Sequence, residues 1–163
     1  MLAMGDRIDF ELQGIDEVLA RMKSISHDAK YKGGRFALRK AATLVASKAK
    51  EGAAKINDPR TTEEIQKNIA VRFSPRRFKA TGDLKFRVGV MGGAKAYGKD
   101  EKLKTLPGGD TRHWRHVEFG SEHNSPARPF MRTALSQNIN QAIAEFARHY
   151  GPAIDRAIKR AKK

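Results

Sequence analysis

The sequence contains no cysteine. Disulfide frameworks, thiol nucleophiles and cysteine-ligated zinc are thereby excluded together, and the chain suits assembly in a reducing compartment. Long apolar runs are missing too. No stretch approaches the roughly 18 residues that a membrane span needs, and the opening MLAMGDRIDF carries no apolar core of a secretory signal. We therefore expect a soluble protein, or part of a soluble assembly, with no membrane partner. Acidic residues are scarce relative to basic ones: 18 Asp and Glu stand against 33 Lys and Arg, leaving a net charge of +15. That excess favours nucleic acid, an anionic membrane or an acidic protein as partner, and it repels itself in an isolated monomer.

What is present reads as a single domain over residues 1–163, long enough to bury about two-thirds of its unfolded surface without metal or disulfide support. Ile8, Phe10 and Leu12 alternate with acids in RIDFELQ, a half-buried strand ended by Gly14. Asp16 can cap a short helix carrying Val18, Leu19 and Met22. After Gly33-Gly34, a longer helix is predicted from about Arg35 to Ile56, with Leu38, Ala41, Ala42, Val45, Ala49 and Ala53 at three- and four-residue spacing. A stripe so rich in alanine requires its neighbour to approach closely. NDPRTTEEIQKNI is a turn and a short helix with Thr61 or Thr62 as cap. Two alternating strands follow at 69–73 and 84–90, joined by the ten-residue flap SPRRFKATGD. Neither strand interleaves aromatics on its outward side, which argues against a platform for stacking single-stranded bases.

Residues 92–112 are rich in glycine and charge, have no period, and read as a long exposed loop. RHWRHVEFG then reads as a fourth strand ending at Gly120. From about Pro129 a helix carries Met131, Leu135, Ile139, Ile143 and Phe146, Gly151-Pro152 interrupts it, and 152–163 forms a separate basic helix. The expected fold is α+β: a small antiparallel sheet of about four strands, with the alanine-rich helix and the C-terminal helices packed on one face. Charge gathers in two places along this chain. Residues 75–104 hold nine Lys and Arg against three acids, and the last 17 residues hold six against Asp155.

Several patterns invite a chemical reading. His113, His116 and His123 with Glu118 and Glu122 could hold a metal, but on a strand the i, i+3 spacing of the first two sends them to opposite faces. Asp83-Leu84-Lys85, with Asp58 upstream, is the minimal acid-x-Lys pair of metal-dependent nucleases. In an alternating segment, however, Lys85 is simply the outward residue. Ser121 lacks the Gly-x-Ser-x-Gly elbow, and Gly92-Gly93 lacks the Gly-Lys-Ser/Thr ending of a phosphate loop. No enzyme, cofactor or metal is expected. The stretch HVEFGSEHNSPARPFMRTAL reads instead as a rigid corner. Gly120 permits the reversal, Pro126 keeps Ser125 extended, Pro129 starts a helix where no amide donor is needed, and Phe130 follows as a buried anchor.

That corner resembles the "valine-glutamate-phenylalanine-glycine … proline-alanine-x-proline-phenylalanine" hallmark of a phage tail-component family, named after gene product ten of a lambdoid, long-tailed coliphage. The strand ending in Gly14-Ile15-Asp16, the alanine- and lysine-rich helix and the Asp58-Pro59-Arg60-Thr61 turn are similar to that family as well, and the likeness covers nearly the whole chain. Two departures stand out: Thr62 occupies the place of the usual glycine, and the 92–112 loop is longer than in compact members. The resemblance implies a virion protein at the neck or the head-proximal end of the tail, assembled in the host cytoplasm. It implies a role in tail completion or head–tail joining, a homo-oligomeric ring of six, and contacts with other neck, connector or tail-tube proteins. On that basis Glu118, Phe119, Gly120, Pro126, Pro129 and Phe130 are expected at a subunit interface or in the corner that shapes it. Lys95, Lys99, Lys102 and Lys104 of the loop would face the lumen and touch passing DNA without sequence preference. The competing reading is a free basic module that binds nucleic acid.

Overall fold

The computed structural model describes residues 29–93, 101–122 and 126–161. The strand predicted at 7–13 and the helix after Asp16 lie outside the described residues. A single π-type turn, Ala29–Gly33, leads into α1, Gly34–Ala54. Alanine loses no side-chain entropy in a helix, so this segment is helical by propensity as well as by packing. Ala37, Ala41, Ala46, Ala49 and Ala53 form its buried stripe, while Lys40 and Lys50 stay exposed. The close approach demanded by so small a stripe is met by the last helix, α5, which runs from Met131 to Ala161 and packs along α1. A Cβ on Gly33 would stand 2.7 Å from the Cβ of Ala153, and one on Gly52 would stand 3.2 Å from that of Phe130.

Helix α5 corrects one expectation. The predicted break at Gly151-Pro152 is absent, and 152–161 continues the same helix. An interior proline forfeits the bond to the carbonyl four residues back and typically costs about 3 kcal/mol. Here the helix is held on both sides of it: Tyr150 is buried and Ala153 lies against Gly33. Gly151, having no Cβ, also relieves the usual clash before proline. The backbone departs from helical geometry instead at Asn138 (φ −121°, ψ 15°), whose side-chain amide donates to the Ala134 carbonyl at 3.0 Å. Lys159 and Arg160 occupy the last turn, where cations complement the helix dipole.

Between the two long helices, α2 (Ile65–Asn68) leads directly into β1 (Ile69–Phe73), which pairs antiparallel with β2 (Phe86–Val90). Ile69 faces Val90, Val71 faces Val88 and Phe73 faces Phe86, so the predicted alternation sets the register. The threonine caps proposed for α2 are not used: Glu64 precedes it, and Thr61 closes the Asp58 turn through its amide and hydroxyl. The flap is not irregular. Its residues form α3, Pro75–Thr81, with proline in the first turn and Gly82 (φ 75°) closing the last, the usual punctuation of a helix. Phe78 of α3 sits against Tyr31 and Phe73.

The sheet has two strands among the described residues, not four. The predicted fourth strand is helix α4, Trp114–Phe119. Trp114 and Val117 pack on the core and Glu118 is buried, an i, i+3, i+4 pattern that a helix satisfies and an alternating strand does not. The core itself joins Ala46, Ala49 and Ala53 of α1 to Ile65, Ile69, Val90, Phe130 and Ala134. Among the described residues the class is therefore α+β, with helices dominating beside one small two-stranded sheet.

The 92–112 segment is also not uniformly exposed. Beyond a short 3-10 turn at Glu101–Leu103, the chain tucks inward, and Gly108, Thr111 and Arg112 are buried. The cause is Asn68, fully buried at the end of α2. Its amide nitrogen donates to the Gly109 carbonyl and to Thr111 Oγ1, each at 2.8 Å, and its oxygen accepts from Gly108 N at 2.8 Å. The backbone amide of Glu64 adds a bond to the Gly108 carbonyl at 2.8 Å. Next to this hub, Arg112 grips Asp110 through Nε and a terminal nitrogen. The Arg112 guanidinium holds the Asp110 carboxyl below the ordinary aspartate range.

A folded-state value below the unfolded one, about 3.9, stabilises the fold above that pH, and the contribution is lost as pH falls through the folded value. Asp110→Asn should therefore melt a few degrees below the parent from pH 7 down to about 5. The gap should narrow below about pH 4 and vanish in stronger acid. Melting curves across that range check it.

Candidate functional site

Helix α4 ends at Gly120, whose backbone (φ 81°, ψ 172°) lies in a region that side chains disfavour. The reversal brings Arg128 back to α4, its amide donating to the Val117 carbonyl at 2.7 Å. Pro129 follows with no amide to satisfy, and then come the three free amides that open α5. Glu118 meets all of them. Its Oε2 accepts from Phe130 N at 2.8 Å and Met131 N at 2.9 Å, and its Oε1 accepts from Arg132 N at 3.0 Å. Arg132 closes the arrangement: its Nε donates to Oε1 at 3.2 Å and its terminal nitrogen to the Glu118 carbonyl at 2.8 Å.

Glu118 is 1% exposed, and each carboxylate oxygen already accepts two donors. A carboxylate so occupied has no lone pair aimed at solvent, so it serves as an internal cap on the following helix rather than as an acid, base or metal ligand.

The remaining predicted residues separate around it. Phe130 is 2% exposed and belongs to the core beneath the corner. Phe119 is 55% exposed, with the Arg132 guanidinium 4.7 Å from its ring centre. Pro126 and Pro129 are exposed on the same corner. Of the four loop lysines, Lys102 and Lys104 are exposed, while Lys95 and Lys99 lie outside the described residues.

The chemical readings meet different fates. Because α4 is helical, the i, i+3 spacing of His113 and His116 no longer separates them, and both border a groove of about 450 Å³ shared with Asp58 and Glu63. Among the described residues, however, no group of three or more His, Asp or Glu is placed to hold a metal ion. Asp83 is exposed and paired with Arg77 at 3.1 Å. The Thr81 hydroxyl and the Arg77 guanidinium hold its carboxyl below the usual range.

Sequence reasoning missed Asn68, Thr111, Asp110, Arg112 and Arg132. The partners of Asn68 lie some forty positions away, so no local pattern announces them.

A corner built on Val-Glu-Phe-Gly, with the glutamate fixing the next helix, gives structural meaning to the motif on which the family resemblance rested. A family model described as "Bacteriophage HK97-gp10, putative tail-component" matches residues 16–120. The chain belongs to this family. It is by that membership a structural phage tail protein. The match takes in nearly two thirds of the chain and ends on Gly120, so Pro126, Pro129, Phe130 and the whole of α5 lie beyond it. That is a shorter extent than the sequence resemblance implied. No curated protein and no solved structure matches the chain. In this HK97-gp10-like protein no helix among the described residues is long and apolar enough to cross a membrane.

Proposed function

We propose that this tail component forms a closed ring at the neck or the head-proximal end of the tail, where it completes the tail and joins it to the head while DNA passes through the lumen. The observation that carries the reading is the family match over 16–120. Two features of the molecule support it. A ring needs one patch to meet a different patch on the neighbouring copy. Phe119 is an exposed aromatic held on a stiff corner, and Leu135 and Ile143 add exposed apolar surface on α5. An exposed aromatic of that kind, once buried against a partner, typically dominates an interface. The basic excess suits a wall close to packaged DNA.

Native mass measurement of the full chain, alone and with tail tubes, tests this reading. We expect a ring of about six copies, either free or once tubes are added. Phe119→Asp should abolish the ring and leave the melting temperature nearly unchanged, because the side chain lies outside the core. A monomer under both conditions would refute the proposal. The competing reading, a free nucleic-acid-binding module, draws on the same +15 charge. It requires tight, sequence-selective duplex binding by the isolated chain.

A further inference from the structure

The hairpin presents two faces of opposite character. Val71 and Val88 pack toward the core, and α1 lies against both strands on that side. The register sets Arg72 directly opposite Arg87 on the other face, and both are exposed. The hydrogen bond from Ser74 N to the Lys85 carbonyl extends the ladder by one pair, so Lys85, two residues before Arg87, shares their face and is exposed as well. Like charges placed directly across a sheet destabilise it. Yet among the described residues no acidic side chain pairs with Arg72, Lys85 or Arg87. Among the described residues nothing covers this face at Gly89, where a Cβ projecting from the same side would meet no atom within 4 Å.

We infer that the outer face of this hairpin, through Arg72, Lys85 and Arg87, grips the phosphate backbone of duplex DNA. The inference deepens the proposed function, resting on it for the identity of the passing polyanion. It moves the principal contact from the loop lysines to the sheet.

Three properties select duplex phosphate over other anions. Beside its cations the hairpin offers only Ala70, Ser74 and Gly89 on this face, so it lacks the apolar centre that a stable protein interface needs. It carries no aromatic side chain on which an unpaired base could stack. It has no Asn or Gln to read base edges, which leaves contacts that position the protein without reading sequence. Arginines fixed on a paired strand, unlike lysines on a loop, also meet phosphate with little further ordering.

The test compares the full chain with a Arg72→Ala, Lys85→Ala, Arg87→Ala triple variant and with a Lys102→Ala, Lys104→Ala pair. Binding to a random-sequence 20-base-pair duplex is followed by fluorescence anisotropy between about 50 and 200 mM salt. Each lost phosphate contact flattens the log–log salt dependence by about 0.9. The triple variant should therefore lose about two to three from the slope and at least about tenfold in affinity at the lower salt. The loop pair should change affinity by less than about threefold. The triple variant should melt no lower than the parent, because facing like charges are removed; a lower melting point with lost binding would count against the inference. So would equal losses in both variants, an unaffected triple variant, or a parent that binds no duplex. A triple variant that loses binding to poly-glutamate but keeps duplex affinity would reassign the face to an acidic protein and overturn the inference. Ring formation by the triple variant, read by native mass, is independent. In the parent, rings without duplex binding would sink the hairpin assignment alone, and duplex binding without rings would sink the assembly reading alone.

Discussion

Glu118→Ala should lower the thermal midpoint by about 10 °C. The change removes a buried carboxylate and leaves the amides of Phe130, Met131 and Arg132 without their acceptor, together with one side of the Arg132 guanidinium. Breaking a buried charged network by deleting one partner costs about 3 to 5 kcal/mol. For a chain of this length each kcal/mol shifts the midpoint by about 2 to 4 °C. Glu118→Gln should fall between parent and alanine, since its amide keeps one acceptor oxygen but replaces the other with an NH2 donor facing backbone donors. Circular-dichroism melts of the three proteins check the order. If alanine and glutamine both melt with the parent, Glu118 does not hold the start of α5.

Gly108→Ala should be nearly as costly, for a different reason. The Cβ of any residue at 108 would collide with the backbone carbonyl of Glu64, which cannot swing aside as a flexible side chain could. The chain there must shift, and the shift strains the bonds from Gly108 N to Asn68 and from Glu64 N to the Gly108 carbonyl. Overpacking at a rigid site costs about 1 to 3 kcal/mol, and a buried amide left unpaired costs about 1 to 3 more. We expect a loss of about 3 kcal/mol by urea titration, with the slope unchanged. Asn68→Ala should reproduce most of it. A Gly108→Ala protein as stable as its parent would mean that the 104–112 segment is not locked to α2.

These two sites show how far the sequence could be read. The hairpin register and α1 were legible because each rests on a local period. Alternation in IAVRF and LKFRVGV places Val71 opposite Val88, and alanine recurring every three or four residues places Ala41, Ala49 and Ala53 on one buried side. The corner was legible in outline, through Gly120 and Pro129, whose backbone restrictions act at the residue itself. The role of Glu118 was not. A capping box pairs residues three apart, whereas this cap spans twelve to fourteen positions across a reversal.

Helix α4 reads as a strand in the sequence because a six-residue element offers barely two turns of period. Trp114 and Val117 become informative only once the core beneath them is known. Local rules break helix α5 at Gly151-Pro152 because they weigh the missing amide but not the tertiary contacts of Tyr150 and Ala153 that hold the helix through it. The burial of Thr111 and Arg112 in an apparently featureless loop has the same origin, in an asparagine more than forty residues away.

A structural tail protein is a built-in part of the particle. Its copy number in purified virions, counted by quantitative mass spectrometry against a tail protein of known stoichiometry, tests that most directly. We expect a constant count of about six per particle, the content of the single closed ring proposed above. Virions that are complete and infectious yet contain none of this chain would contradict it.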